Sequence, residues 1–136
     1  MAKIKGLDIY LKVNTGTEAS PVWTKVGGQT GATFDRGKGT IDTTDKDSAG
    51  NEEHLPGIRN WSFSFDAFLI EDDAGFLEVE TAYDGDLLKQ FQMITPGFAY
   101  MGKATVESLS VSAGKDDAGV ASFTLKGSGV LTKTAV

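Results

Sequence analysis

His54 is the single histidine of the 136-residue chain, and there is no cysteine. Together these facts remove most side-chain chemistry: thiolate nucleophiles, iron–sulfur clusters, cysteine zinc sites and any metal centre built on several imidazoles. One Ser-His-Asp arrangement stays arithmetically possible, but His54 lies in Glu52-Glu53-His54-Leu55-Pro56, a polar stretch without the rigid frame that three catalytic groups need. Asp45-Lys46-Asp47-Ser48-Ala49-Gly50 opens like a calcium loop. It then places Ala49 at the fifth position and Pro56 where the bidentate twelfth-position Glu belongs, so the pattern fails at its strongest ligand. Gly37-Lys38-Gly39 lacks the third glycine and the following helix of a phosphate cradle and reads as a hairpin turn. Glu78 and Glu80 stand two apart on an expected helix, on different faces, and make a poor acid–base pair. Trp61, Phe63 and Phe65 alternate with serine as core residues of a strand do, rather than forming an exposed sugar platform. No catalytic residue, cofactor or metal is assigned, and the chain reads as a non-enzyme.

The elements that would carry these residues are mostly strands. Leu7, Ile9, Leu11 and Val13 alternate with Asp8, Tyr10 and Lys12; Val22 to Val26 forms a second run, ended by Gly27-Gly28. Thr30 to Asp35 and Gly39 to Thr44 are expected to pair across Arg36-Gly37-Lys38. Residues 44–58 lose all apolar period and form one long acidic loop. Trp61 to Ile70 is the strongest strand, with Trp61, Phe63, Phe65, Ala67 and Leu69 on one face. A short helix over about 72–84 follows from the capping pair Asp72-Asp73, from Phe76, Val79 and Tyr83 at helical spacing, and from Gly85 at its end. Leu87 to Ile94, Phe98 to Ser112 and Gly119 to Thr132 complete the strands, the last two joined by Lys115-Asp116-Asp117-Ala118-Gly119. The expected fold is mainly β, a β-sandwich or flattened barrel with one short helix, in a single domain spanning 1–136. The long loop is the anomaly, since loops of that length are usually functional or mobile.

Length, glycine content and charge bound the function. A chain of this size holds a core without staples, and 17 glycines against 3 prolines suit a folded, turn-rich protein. No apolar stretch has the length of a signal peptide or membrane helix, so a protein made in the cytoplasm and not bound to membrane is expected. The 13 basic and 19 acidic residues give −6, which disfavours a simple nucleic-acid binder. Residues 35–86 hold 14 acidic and 4 basic side chains, or −10; the remainder holds 5 and 9, or +4.

Thr105-Val106-Glu107-Ser108-Leu109-Ser110-Val111-Ser112-Ala113-Gly114, the turn Asp116-Asp117-Ala118-Gly119, and Ala121-Ser122-Phe123-Thr124-Leu125-Lys126-Gly127-Ser128-Gly129 closely resemble the C-terminal half of the major tail tube protein of long-tailed bacteriophages. The Lys5-Gly6-Leu7-Asp8-Ile9-Tyr10-Leu11 opening, Val26-Gly27-Gly28-Gln29, the acidic loop ending in Pro56-Gly57, the Trp61-to-Ile70 strand and the helix follow in the family's order. The resemblance covers nearly the whole chain and rests on order and spacing more than on any one motif.

The resemblance implies a structural virion protein whose hexameric rings stack into a tube that conducts DNA during ejection. One sheet of each subunit would join its neighbours around the lumen, and the loop and both terminal arms would contact the next ring. Its partners would be itself, a tape-measure protein, a tail terminator and a tail tip, with DNA passing unbound. A ring protein of a contractile injection or secretion system, or a free adhesive or carbohydrate-binding β-sandwich, are the alternative readings. The charge split suits a head-to-tail contact between copies. Asp45, Asp47, Glu52, Glu53 and His54 are the acidic side of that expected contact, and Lys3, Lys5, Lys12, Lys126 and Lys133 the basic side. An acidic bore lets DNA slide where a lysine-lined one would hold phosphates, and Asp35 and Asp42 are the expected lumen-facing residues.

Overall fold

The computed structural model describes residues 3–135; Met1, Ala2 and Val136, the extreme ends of the expected terminal arms, lie outside the described residues. Seven antiparallel strands form one sheet: β1 (Tyr10–Asn14), β2 (Trp23–Lys25), β3 (Gln29–Asp42), β4 (His54–Phe68), β5 (Lys89–Ile94), β6 (Phe98–Ser112) and β7 (Val120–Ala135), with the helix α1 (Ala74–Asp84) between β4 and β5. Their order is β2-β1-β5-β6-β7-β4-β3. A single continuous sheet therefore stands where two stacked sheets were one expectation.

Strands β2 and β3 sit at opposite ends of that order, yet only Val26, Gly27 and Gly28 separate them in the chain. The sheet must curl for so short a link to reach. Gln29 ties the two ends: its side-chain oxygen accepts from the Leu11 amide at 2.9 Å, and its nitrogen donates to the carbonyls of Leu11 at 2.8 Å and Val26 at 2.7 Å. Inside the curl lie Leu11, Val13, Phe63, Phe65, Phe91, Phe123 and Leu125, all fully or almost fully buried. The alternation that marks the strands in the sequence is thus a real inside–outside pattern.

Trp61 closes one end of this core. Its indole lies over two glycines of neighbouring strands, so that a Cβ at Gly127 would come within 2.2 Å of the ring and one at Gly102 within 2.5 Å. Its Nε1 donates to the Gly129 carbonyl at 3.2 Å. The helix covers the other end through Gly75, Val79 and Ala82. A Cβ at Gly75 would meet the Val26 backbone at 2.8 Å, which sets how closely the helix approaches. Asp73 caps it by accepting from Phe76 N at 3.1 Å, and the same carboxylate accepts from Gly27 N at 3.1 Å.

Several expectations need correcting. Leu7 is 82% exposed in a short 3-10 turn, Gly6–Asp8, so β1 starts later than its alternation suggests. Tyr83 points outward and Ala82 takes the inward place on the helix. The left-handed residue after the helix is Asp86 rather than Gly85, whose φ is −94°. Leu69 is exposed beyond the end of β4. The expected turn at Arg36-Gly37-Lys38 is absent: β3 runs straight through it and pairs with β4 from Gln29↔Ala67 to Asp42↔His54. The register slips between Lys38↔Arg59 and Thr40↔Pro56, where the extra residue lies on β4 at Gly57-Ile58 and β3 keeps its alternation. No helix of the described residues is long and apolar enough to cross a membrane.

Candidate assembly surfaces

Because β3 and β4 pair along their whole length while β4 meets β7 only from Ser62 to Phe68, the rest of the hairpin is unsupported. Residues 36–42 and 54–60 form a two-stranded arm that leaves the body. Trp61 is the last side chain of β4 anchored in the core; beyond it no arm side chain is fully buried except Ser48 at the tip. The expected loop of 44–58 is therefore shorter: Thr43 to Glu53 form the tip, and residues 54–58 belong to β4.

The tip is built from its own hydrogen bonds. Asp45 accepts from Asp47 N at 3.0 Å and from the Ser48 hydroxyl at 3.1 Å, while Ser48 Oγ accepts from Asp45 N at 3.1 Å. This reciprocal cap starts the 3-10 turn Lys46–Ser48. Ala49 and Gly50 reverse the chain at φ 54° and 79°, and the Thr44 hydroxyl closes the turn by donating to the Glu53 carbonyl at 3.0 Å. The Thr44 backbone amide, donating to Asp42 Oδ1 at 2.9 Å, holds the Asp42 carboxyl below the usual carboxylate range. Asp45, whose position suggested a calcium loop, spends its carboxylate on these internal donors. Among the described residues no three metal-ligating side chains converge.

Charge is sorted along the arm. Residues 42–54 carry Asp42, Asp45, Asp47, Glu52 and Glu53 against Lys46, or −4; residues 36–41 and 55–60 carry Arg36, Lys38 and Arg59 and no acid, or +3. Lys38 and Arg59 are direct cross-strand partners, an arrangement that is destabilising in isolation. Arg36 lies 5.3 Å from the Phe34 ring centre and 5.2 Å from that of Tyr100; Lys133 lies 4.5 Å from the Phe98 ring and 5.7 Å from that of Tyr100. Where the arm diverges from β7, Arg36, Lys38 and Arg59 line a groove of about 660 Å³ with Trp61, Val130 and Leu131.

A second surface is the outer face of the sheet. Thr33 and Asp35 on β3, Ser62, Ser64 and Asp66 on β4, Ser122, Thr124 and Lys126 on β7, and Thr105, Ser108 and Ser110 on β6 fall in register across four strands. The Ser122 hydroxyl donates to Asp66 at 2.6 Å. The face is short-chained, hydroxylated and slightly acidic.

These placements divide the residues singled out from sequence. Asp45, Asp47, Glu52, Glu53 and His54 do gather at or beside the tip. Asp35 and Asp42, seven apart on β3, fall on opposite faces by strand alternation. Asp35 shares the outer face with Lys126, through the row Asp35–Ser62–Lys126. Lys3 and Lys5 are exposed near the N-terminus, Lys12 is half-buried on the outer side of β1, and Lys133 joins the aromatic cluster below the arm. The C-terminal segment continues β7 and pairs with β6 up to Phe98↔Ala135. Arg36, Lys38 and Arg59 escape the sequence reading because they lie inside the acidic stretch, the first two in the expected turn and Arg59 between the expected loop and strand. Only the correct hairpin register brings Lys38 and Arg59 together.

The sequence profile described as phage tail tube protein matches residues 3–133. The chain belongs to that family. Its role is structural, as a tail tube protein and a component of the phage tail. No curated protein matches the sequence. Among solved structures, the virion of a native gene transfer agent particle is similar at TM-score 0.85 and 19% identity, and the tail of an empty gene transfer agent particle with C6 symmetry at 0.83 and 21%; each alignment covers 96% of this chain and 98% of the other. The SPP1 tail tube matches at 0.83 and 20%, covering 98% and 80%. The sheath-tube complex of an extracellular contractile injection system matches at 0.68 and 14%, covering 98% and 93%. The fold similarity thus extends to a contractile machine.

Proposed function

We propose that this tail tube protein forms hexameric rings that stack into a DNA-conducting tube, with the outer face of β3, β4, β7 and β6 turned toward the bore. The composition of that face carries the assignment. Serine and threonine side chains are too short to entangle a passing duplex, and with Asp35 and Asp66 against Lys126 the face has no cationic excess to trap phosphates by counterion release. The C6 symmetry of the gene transfer agent tail supports the hexamer. The open edge of β3 and the unsupported arm offer the backbone and side-chain groups through which copies join.

In this reading the acidic tip, with Asp45, Asp47, Glu52, Glu53 and His54, reaches a basic surface of the adjoining ring. Lys3, Lys5, Lys12 and Lys133 remain available to that contact, whereas Lys126 faces the bore with Asp35. Asp42, on the opposite strand face, belongs with the arm. A tape-measure protein, a terminator and a tip complex would set where the tube starts and stops, after synthesis in the host cytoplasm. A single domain serves all these contacts.

Single cysteines at Asp35 and Ser110 test the bore. In assembled tubes a small maleimide should label both, while a maleimide carried on a particle wider than the bore should label neither; Leu77→Cys, on the exposed side of the helix, should accept both reagents. Equal labelling of Ser110→Cys and Leu77→Cys by the large reagent would show that this face is not the lumen.

A further inference from the structure

We infer that the basic groove at the base of the arm receives the acidic arm tip of a second copy of this chain. The inference rests on the ring-stacking reading above and names the receptor that reading leaves open. Three cations, Arg36, Lys38 and Arg59, line one groove beside Trp61 and Val130. The two ion pairs among the described residues, Lys89–Glu78 and Lys103–Glu18, use none of them. Lys38 and Arg59 face each other directly across the hairpin, a repulsion that an incoming anion relieves.

The tip of the same arm cannot supply that anion. Asp45 is seven residues beyond Lys38 along an extended strand, roughly 20 Å at about 3.3 Å per residue, and the tip is held compact by its own hydrogen bonds. The complementary charges, −4 at the tip and +3 at the stem, therefore meet only between copies. Each arm offers a tip at one end and a receptor at the other, so the contact is heterologous and repeats along an axis. Val130, 83% exposed, lines the groove beside the charges and gives the contact apolar area.

A charge-swap experiment on the full chain decides this. Lys38→Glu/Arg59→Glu, and separately Asp47→Lys/Glu52→Lys, which leave the Asp45 cap in place, should each raise the critical concentration for tube formation at low salt at least tenfold, read by sedimentation and negative-stain microscopy. The quadruple variant should return to within about threefold of wild type. Because the reversed side chains are exposed, monomer melting should stay close to wild type; Lys38→Gln/Arg59→Gln gives the same test should reversal disturb folding. A second measurement uses the absence of native cysteine: Asn51→Cys/Asn60→Cys should give a ladder of disulfide-linked copies in assembled tubes and none in monomers. Normal polymerisation of the stem variants, a quadruple variant as defective as its parents, or no ladder would overturn the groove as receptor while leaving the tube reading intact. Wild-type protein that forms no ring or tube would instead strike that reading. Retained tube formation by the stem variants, with loss of binding to a short DNA duplex that wild type binds, would assign the groove to phosphates and refute the inference.

Discussion

Substituting Gly127 by alanine tests whether Trp61 closes the core as described. The added Cβ would lie 2.2 Å from two carbons of the indole. Ordinary carbon contacts are about 3.5 Å or more, so the ring must recede by roughly 1.3 Å. It has little freedom to do so. Phe63 meets it edge-on at 5.3 Å between centroids, Gly102 lies beneath it, and Nε1 is held to the Gly129 carbonyl. Overpacking of this kind costs about 1–3 kcal/mol, and loss of the indole hydrogen bond adds about 0.5–1.5 kcal/mol. A destabilisation of about 2–4 kcal/mol is expected, a fall in Tm of roughly 6–16 °C at about 3–4 °C per kcal/mol for a domain of this length. Urea unfolding of the monomer, followed by tryptophan fluorescence and far-UV circular dichroism, should show a lower midpoint at unchanged slope. Gly31→Ala is the control: a Cβ there meets nothing within 4 Å, and its stability should stay within about 0.5 kcal/mol of wild type. In a Trp61→Leu background Gly127→Ala should lose at least about 1 kcal/mol of its cost. A Gly127→Ala protein as stable as Gly31→Ala, or a cost indifferent to residue 61, would refute the reasoning.

Asp73→Ala removes the helix cap and the acceptor for the Gly27 amide together, and should cost about 1–2 kcal/mol in denaturant unfolding; Asp73→Asn should recover more than half of it. Gln29→Ala removes three hydrogen bonds joining the ends of the sheet and should cost about 2–3 kcal/mol by the same measurement. The Asp42 carboxyl, stabilised in its charged form by Thr44, should titrate below 3.8 in carboxyl-resolved NMR. Its contribution to arm order is thus present above pH 3.8 and lost as pH falls through the lowered value.

Much of the architecture is legible because the core residues of Trp61, Phe63, Phe65 and Ala67, of Leu11 and Val13, and of Phe123 and Leu125 alternate strictly with polar neighbours. Burial of one face imposes that period, and it survives in sequence whatever the topology. The helix was legible for a similar reason, in its Asp73 cap and the inward Val79. What was not legible depends on pairing. Gly37 and Gly39 have the composition of a turn, yet the long partner β4 holds β3 extended through them, and strand pairing overrides a local preference there. With the turn misplaced, Lys38 and Arg59 stay 21 positions apart in the chain instead of opposite each other. The acidic half of the candidate contact was visible as composition because its charges are contiguous. The cationic half was not, because register assembles it from two strands.

The Leu11 amide is hydrogen-bonded to the Gln29 side chain rather than to a strand backbone. Its proton is therefore guarded by one rotatable side chain, while its neighbours on β1 are guarded by ladders that open only with the sheet. Exchange with deuterium should be faster at Leu11 than at Val13, and the ratio of the two rates reads directly how often the curled sheet breathes apart at its seam without unfolding.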